Sequence, residues 1–188
     1  MKEYKKVMVC VGHYSKKQGT RSVPLGISEW QINSLLAAEI GMLGWLRGLK
    51  VDRIADLNLI RKVKLINEGQ YDICIDLHCN AAPIMATGHE ILYWHKSPEG
   101  KALAQCLTRS INFNDPRRVL PISGGNGAFF LNKTRPLAVI IESCFADCED
   151  DFGVFAGNLH DIAEQIINGL LAFPISAHYV NLLHTKGT

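Results

Sequence analysis

Short apolar runs alternate along the chain with segments in which apolar residues recur every three or four positions. Three runs, residues 7–11, 71–78 and 136–142, are largely apolar, and the first is rich in β-branched residues. Such runs are typical of strands buried on both faces of a parallel sheet. A fourth run, residues 88–95, predicts a further strand.

Helical spacing follows the first strand and recurs in three later segments. Ser28 is predicted to be the N-cap of the first helix, and Gln31 completes a capping box. The positions of this helix expected to pack on the sheet are Leu35, Met42, Trp45, Leu46 and Leu49. Further helices are predicted at residues 57–68, 98–111 and 159–170, the last stopped by Pro174. The alternation predicts an α/β fold with a mostly parallel sheet.

Two long connections are predicted to be surface loops near the strand ends. Residues 14–27 are polar and basic, and residues 112–133 contain two prolines and a glycine cluster. Both are candidates for substrate-binding walls. Residues 1–174 are expected to form a single domain, and residues 175–188, which lack a clear period, a C-terminal tail.

Composition and charge narrow the class of protein. A length of 188 residues with 47% hydrophobic residues suits one globular domain. The net charge of +2 is too mild to predict nucleic acid as a partner. The six cysteines form no CxxC pair and are predicted to be buried hydrophobic residues in a reduced compartment. The apolar stretches are too short for a signal peptide or a membrane span, so we expect synthesis in the cytoplasm.

Four residues with hydrolase chemistry lie where strands should end or a helix should begin: His13, Glu29, His78 and Glu142. Open α/β sheets hold their sites at the carboxyl ends of the strands. Two imidazoles and one carboxylate can hold a zinc ion with a position open for water, and a second carboxylate can move that water's protons. Individually, His13 also fits an ordinary loop histidine, and Glu29 a first-turn carboxylate favoured by the helix dipole.

The residues around His78 and the position of Glu142 add detail. Strand alternation directs Cys79 away from His78 and Asn80, so Asn80 is a candidate for orienting the histidine or binding a substrate carbonyl. Asp76 shares the strand face of His78 and is interpreted as a paired strand carboxylate. Glu142 ends a strongly apolar strand, where burial should raise its proton affinity and suit it to act as a general base.

Four short motifs occur in a fixed order: Val11-Gly12-His13, Ser28-Glu29-Trp30, Asp76-Leu77-His78-Cys79-Asn80-Ala81 and Ile141-Glu142-Ser143-Cys144-Phe145. Together they resemble the zinc-dependent N-acetylmuramoyl-L-alanine amidases of bacterial cell-wall hydrolases and phage endolysins. The resemblance extends over almost the whole chain. One departure is the stretch Tyr14-Ser15-Lys16-Lys17, where members of that family often have glycines, and it leaves substrate preference open.

The resemblance implies that residues 1–174 are a catalytic amidase domain built on a twisted, mostly parallel sheet with helices on both faces. It implies one zinc ion held by His13, Glu29 and His78, with Glu142 as the catalytic carboxylate. The implied substrate is peptidoglycan, cut at the amide between the lactyl group of N-acetylmuramic acid and L-alanine. The expected setting is a phage or prophage lysin that acts on the cell wall after release, with a holin-type membrane pore as a partner. A cytoplasmic recycling enzyme or a fragment of a longer chain fits the sequence equally well.

Two other interpretations fit the same residues. The same ligands and carboxylate would serve a zinc peptidase that cuts a stem or bridge peptide bond. A non-catalytic wall-binding module is the second alternative, although metal-assisted binding alone would not need Glu142. The products released from peptidoglycan distinguish the three hypotheses.

Overall fold

The computed structural model describes residues 5–22, 25–82 and 86–174. These residues contain the strands β1 (Lys6–Val11), β2 (Lys50–Ile54), β3 (Ile73–Asn80), β4 (His89–Trp94), β5 (Arg117–Ile122) and β6 (Leu137–Phe145). They form one sheet in the order β2-β1-β3-β6-β4-β5. The first four strands of this order are parallel, whereas β4 is antiparallel to β6 and β5 runs parallel to β4. The predicted α/β domain with a mostly parallel sheet is confirmed.

Helices cover both faces of the sheet, as predicted. The described residues contain α1 (Glu29–Leu46), α2 (Leu59–Glu68), α3 (Pro98–Ser110), α4 (Gly125–Lys133), α5 (Glu149–Gly157) and α6 (Leu159–Ala172). On one face, the odd-numbered residues of β1 and β3 pack with α1, α3, α5 and α6. On the other face, a smaller apolar cluster joins the even-numbered residues of these strands to α2 and α4.

The first helix begins where the sequence predicts but buries a different face. Ser28 is the N-cap, and Gln31 completes the capping box. The predicted core positions Leu35, Met42, Trp45 and Leu46 are exposed, whereas Leu49 is buried beyond the helix end. The sheet is contacted instead by a stripe that includes Ile32, Leu36, Ile40 and Leu43. Because this helix is apolar on both sides, its periodicity does not reveal which side packs.

The segment predicted as a long loop, residues 112–133, contains two regular elements. It holds β5, which pairs with β4 at the edge of the sheet, and α4, which starts at Gly125. Pro121 lies inside β5, and an edge strand tolerates proline because one of its sides has no partner strand. Helix α5 was also not predicted, and Cys148 is its N-cap residue.

Two of the core strands end later in the chain than predicted. Strand β3 extends to Asn80 and β6 to Phe145, so His78 and Glu142 lie inside strands. All six cysteines are free and buried, as predicted. Within the described ranges, no helix combines the length and hydropathy needed to cross a membrane. The predicted tail, residues 175–188, lies outside the described residues.

Candidate metal centre

The four predicted site residues meet at one edge of the sheet. His13 follows β1 by two residues, and Glu29 is the first residue of α1. His78 on β3 and Glu142 on β6 are direct register partners. The topology brings them together because β1, β3 and β6 are adjacent and parallel.

Glu29 is at the centre of the cluster and contacts both histidines. Its Oε1 lies 2.9 Å from Nδ1 of His78, and its Oε2 lies 3.1 Å from Nε2 of His13. Donor atoms from these three residues all lie within 4.8 Å of one another. Two imidazole nitrogens and one carboxylate oxygen form a donor set that fits zinc.

The backbone around His13 is strained at the position where its ring enters the site. His13 has a φ of 64°, in the left-handed region that disfavours residues with a Cβ. The preceding residue, Gly12, is required because it lies against the ring of His78. A Cβ on Gly12 would lie 2.5 Å from Cε1 of His78, so any other residue would collide with that ring.

The environment of Glu29 keeps it ionised. Its side chain is only 2% exposed, and burial alone would raise its pKa, but hydrogen bonds from His13 and His78 lower the pKa to about 2. The backbone N–H of Thr20 donates to Oε2 and that of Cys79 to Oε1. Its place in the first turn of α1 also puts the carboxylate at the positive end of the helix dipole.

The second histidine lies between two carboxylates. Nδ1 of His78 faces Glu29, and Nε2 lies 3.3 Å from Oδ2 of Asp76. Burial acts to lower the pKa of His78, but the Asp76 and Glu29 carboxylates raise it well above its usual value. The cluster therefore favours positive charge at this position, as a cation site requires.

Glu142 forms part of the cavity wall beside this cluster. Its Oε2 is buried with no hydrogen-bond partner among the described residues. Burial raises the pKa of Glu142 to about 7, with contributions from the charges of Glu29 and Glu90 and against the opposing effect of His78. A carboxyl group that titrates near neutral pH can both accept and donate a proton during a reaction.

A second polar residue, Glu90, lies beside Glu142, and reasoning from the ends of the parallel strands could not predict it. Glu90 is the antiparallel register partner of Glu142. Its carboxylate accepts hydrogen bonds from Nδ2 of Asn80 at 2.9 Å and from Nε of Arg118 at 2.7 Å. The amide of Asn80 is thus bonded to Glu90, and its predicted role in substrate binding stays a prediction.

A cavity of about 360 Å³ opens beside the cluster. His13, His78 and Glu142 lie on its polar side, and both predicted walls contribute, Tyr14 from the first and Asn126 from the second. Its apolar lining consists of Leu57, Leu59, Leu92, Ile122, Phe130 and Ile140. The site therefore combines side chains that could hold a cation, a carboxyl group that titrates near neutral pH and room for a substrate segment.

Lys62 also lines this cavity and was not predicted. It is 3% exposed, on the same face of α2 as the buried residues Val63 and Ile66. A lysine at a core-facing position of an amphipathic helix is the signal that could have marked it.

Comparisons with known proteins agree with this architecture. A family model described as N-acetylmuramoyl-L-alanine amidase matches residues 7–172. The catalytic domain of an endolysin targeting Clostridia difficile is 26% identical, with a TM-score of 0.78 over 92% of this chain and 100% of that one. An N-acetylmuramoyl-L-alanine amidase from Clostridium difficile 630 is 21% identical, with a TM-score of 0.75 over 90% of this chain and 96% of that one. Another from Bacillus (Paenibacillus) polymyxa var. colistinus is 19% identical, with a TM-score of 0.75 over 90% and 99%. A comparison with curated protein sequences gave no match.

Proposed function

Because this chain belongs to the N-acetylmuramoyl-L-alanine amidase family, we propose that it cuts the amide between the lactyl group of N-acetylmuramic acid and L-alanine in peptidoglycan. We further propose that the reaction depends on one zinc ion. The observation that carries this proposal is the convergence of donor atoms from His13, Glu29 and His78 within 4.8 Å, beside the buried carboxyl group of Glu142.

His13, Glu29 and His78 would hold the zinc ion. A zinc ion bound by such ligands supplies a Lewis acid that polarises a carbonyl group and lowers the pKa of water. The protein's own contribution begins with Glu29, which is ionised and whose carboxylate is fixed between the two imidazoles by two backbone N–H groups.

Glu142 carries the proton. With a pKa of about 7, its carboxylate takes a proton from the water that attacks the lactyl carbonyl. It then returns that proton to the nitrogen of the departing L-alanine. Among the residues that the structure describes, Oε2 has no hydrogen-bond partner, which leaves this oxygen free for the exchange.

The test is mass spectrometry of purified peptidoglycan after digestion. The wild-type protein is used alone, with a chelator, and with the chelator followed by zinc. The Glu142→Gln variant is used in a separate digestion. The expected products are stem peptides with a free N-terminal L-alanine, released by the wild-type protein, lost on chelation and restored by zinc. The Glu142→Gln variant should bind zinc like the wild-type protein but release almost no product.

Other products would favour the alternatives. Fragments cut within the stem or bridge peptides would identify a zinc peptidase. No release from several wall types, with binding retained, would identify a wall-binding module. Release that continues in full after metal removal would rule out the zinc mechanism while leaving the amidase activity.

Delivery to the wall stays a prediction. We propose that the enzyme reaches peptidoglycan after release from the cytoplasm, with a holin-type pore as the expected partner. To test this expectation, the protein is expressed in bacterial cells with and without such a pore, and lysis is measured as a fall in the turbidity of the culture. Lysis that needs the pore would support it, and equal lysis without the pore would contradict it.

A further inference from the structure

An ion pair is buried beside the residues of the proposed metal site. Nζ of Lys62 donates to Oδ1 of Asp76 at 2.8 Å, and each side chain is only 3% exposed. A buried ion pair is weak evidence of stabilisation, because removing two charges from water costs about as much as their attraction returns. Its presence therefore calls for a role other than stability.

The free oxygen of Asp76 is directed at a metal ligand. Oδ2 lies 3.3 Å from Nε2 of His78, and the other ring nitrogen, Nδ1, lies 2.9 Å from Glu29. A neutral imidazole carries one proton, and a neighbouring acceptor decides which nitrogen holds it. With that proton on Nε2 and donated to Asp76, the lone pair of Nδ1 points toward Glu29.

Lys62 connects this arrangement to the strand that precedes His13. The same Nζ donates to the backbone carbonyl of Val11, the last residue of β1, at 2.7 Å. One ammonium group thus ties Asp76 on β3 to the end of β1. His13 follows β1, and His78 belongs to β3. The lysine therefore holds together the two backbone segments from which both rings project.

We propose that Lys62 and Asp76 are positioning residues for the metal centre. Lys62 fixes the Asp76 carboxylate, and Asp76 fixes His78 in the tautomer and orientation that present Nδ1 to the cation. This inference rests on the proposed zinc site. Carboxylates that accept a hydrogen bond from a metal-binding histidine raise its basicity, and their loss typically weakens metal binding by about 10–100-fold.

The experiment compares double variants, because a single substitution would leave one buried charge without its partner and destabilise the fold. Lys62→Met with Asp76→Leu removes both charges and the acceptor for Nε2. Lys62→Met with Asp76→Asn removes both charges but keeps an oxygen that can accept from His78. Zinc dissociation constants are measured by competition with a chromophoric chelator, and folding is checked by thermal unfolding.

The leucine variant is expected to bind zinc about 10–100-fold more weakly than the wild-type protein, and the asparagine variant to recover part of that loss. The matched control is Lys6→Met with Asp52→Asn, which removes a lysine–aspartate pair 3.6 Å apart on the surface. The control should bind zinc like the wild-type protein. A purely structural role for the buried pair would not produce the graded order of the two Asp76 variants.

A second measurement does not depend on the variants folding. Nitrogen-15 NMR of the zinc-loaded wild-type protein reports which nitrogen of His78 carries the proton, and Nε2 is expected. A proton on Nδ1 would overturn the inference, as would wild-type zinc affinity in the folded leucine variant. Failure of the wild-type protein to bind zinc would instead overturn the proposed metal site and this inference with it.

Discussion

The two faces of the sheet are filled in different ways. The face covered by α1, α3, α5 and α6 is packed by a continuous apolar core that includes Phe152 and Phe155, both fully buried. The face covered by α2 and α4 has a smaller apolar cluster, beside which lie the cavity, the Lys62–Asp76 pair and Glu142. The difference indicates that the first face supplies most of the stability, whereas the second face, together with Glu29 at the start of α1, supplies the chemistry, so substitutions should separate the two properties.

Glu142→Gln should have the largest effect on activity and should not lower the free energy of unfolding. Loss of a general acid–base group typically lowers the rate by about 10²–10⁴-fold. Because burial raises the pKa of Glu142 to about 7, removing the ionisable group should not lower the free energy of unfolding. Peptidoglycan hydrolysis rates and denaturant unfolding of the same samples measure both quantities. Substantial retained activity with metal bound would refute the role of Glu142.

Phe155→Ala on the opposite face should have the reverse outcome. The ring of Phe155 is fully buried and lies within 6.4 Å of Phe152 and 6.2 Å of Phe113, measured between ring centroids. Its truncation should lower the free energy of unfolding by about 3–5 kcal/mol. The activity of each molecule that remains folded should stay near the wild-type value. If kcat falls while the protein is fully folded, the proposed separation between the faces is wrong.

The pH dependence of stability should reflect a histidine beside the larger core. His89 is fully buried against Phe113, and burial lowers its pKa from 6.5 to about 4. Between these values the unfolded chain binds a proton at this residue that the folded chain does not, so the contribution of His89 to stability is complete above pH 6.5 and is lost toward pH 4. The loss should reach up to about 3 kcal/mol.

His89→Phe removes this titration and keeps an aromatic ring against Phe113. Denaturant unfolding at several pH values should therefore show the wild-type protein losing stability relative to the variant as the pH falls from 6.5 toward 4. A difference between the two proteins that does not change with pH would refute this role of His89.

Gly12→Ala should have the smallest of the four effects and should act on metal binding. The added Cβ would press on the ring of His78, which must move from Glu29 or turn. We expect zinc affinity to fall by about tenfold or more, on the scale known for disturbed metal-ligand positioning. Gly153→Ala is the matched control, because nothing lies within 4 Å of a Cβ added there. Equal zinc affinity in both variants would refute this account of Gly12.

Local signals predicted the framework well, and long-range contacts explain most of what was missed. The capping box of Ser28 and Gln31 depends on neighbours three residues apart and is confirmed. The choice of the buried face of α1 depends on distant strands, and a helix apolar on both sides does not encode it. Strand β5 and helix α4 were missed because a proline and glycines interrupt their patterns, although an edge strand and a helix start accept them.

The site residues also divide into those that the sequence predicts and those that only long-range contacts reveal. His13, Glu29, His78 and Glu142 were predicted because parallel strands deliver their ends to one edge, and the structure brings all four together. Lys62 was missed because its partner Asp76 is on another element, and only the fold joins them.

The reversed direction of β4 has a consequence for how enzymes of this architecture can diversify. Strand β4, helix α3 and strand β5 form one contiguous segment, residues 89–122, and it carries Glu90 and Arg118 as a bonded pair to the flank of Glu142. The proposed metal ligands and Glu142 all lie outside this segment. Recombination between homologues could exchange this segment as one unit. Such an exchange would replace one side of the cavity in a single step and leave the proposed metal ligands and Glu142 unchanged.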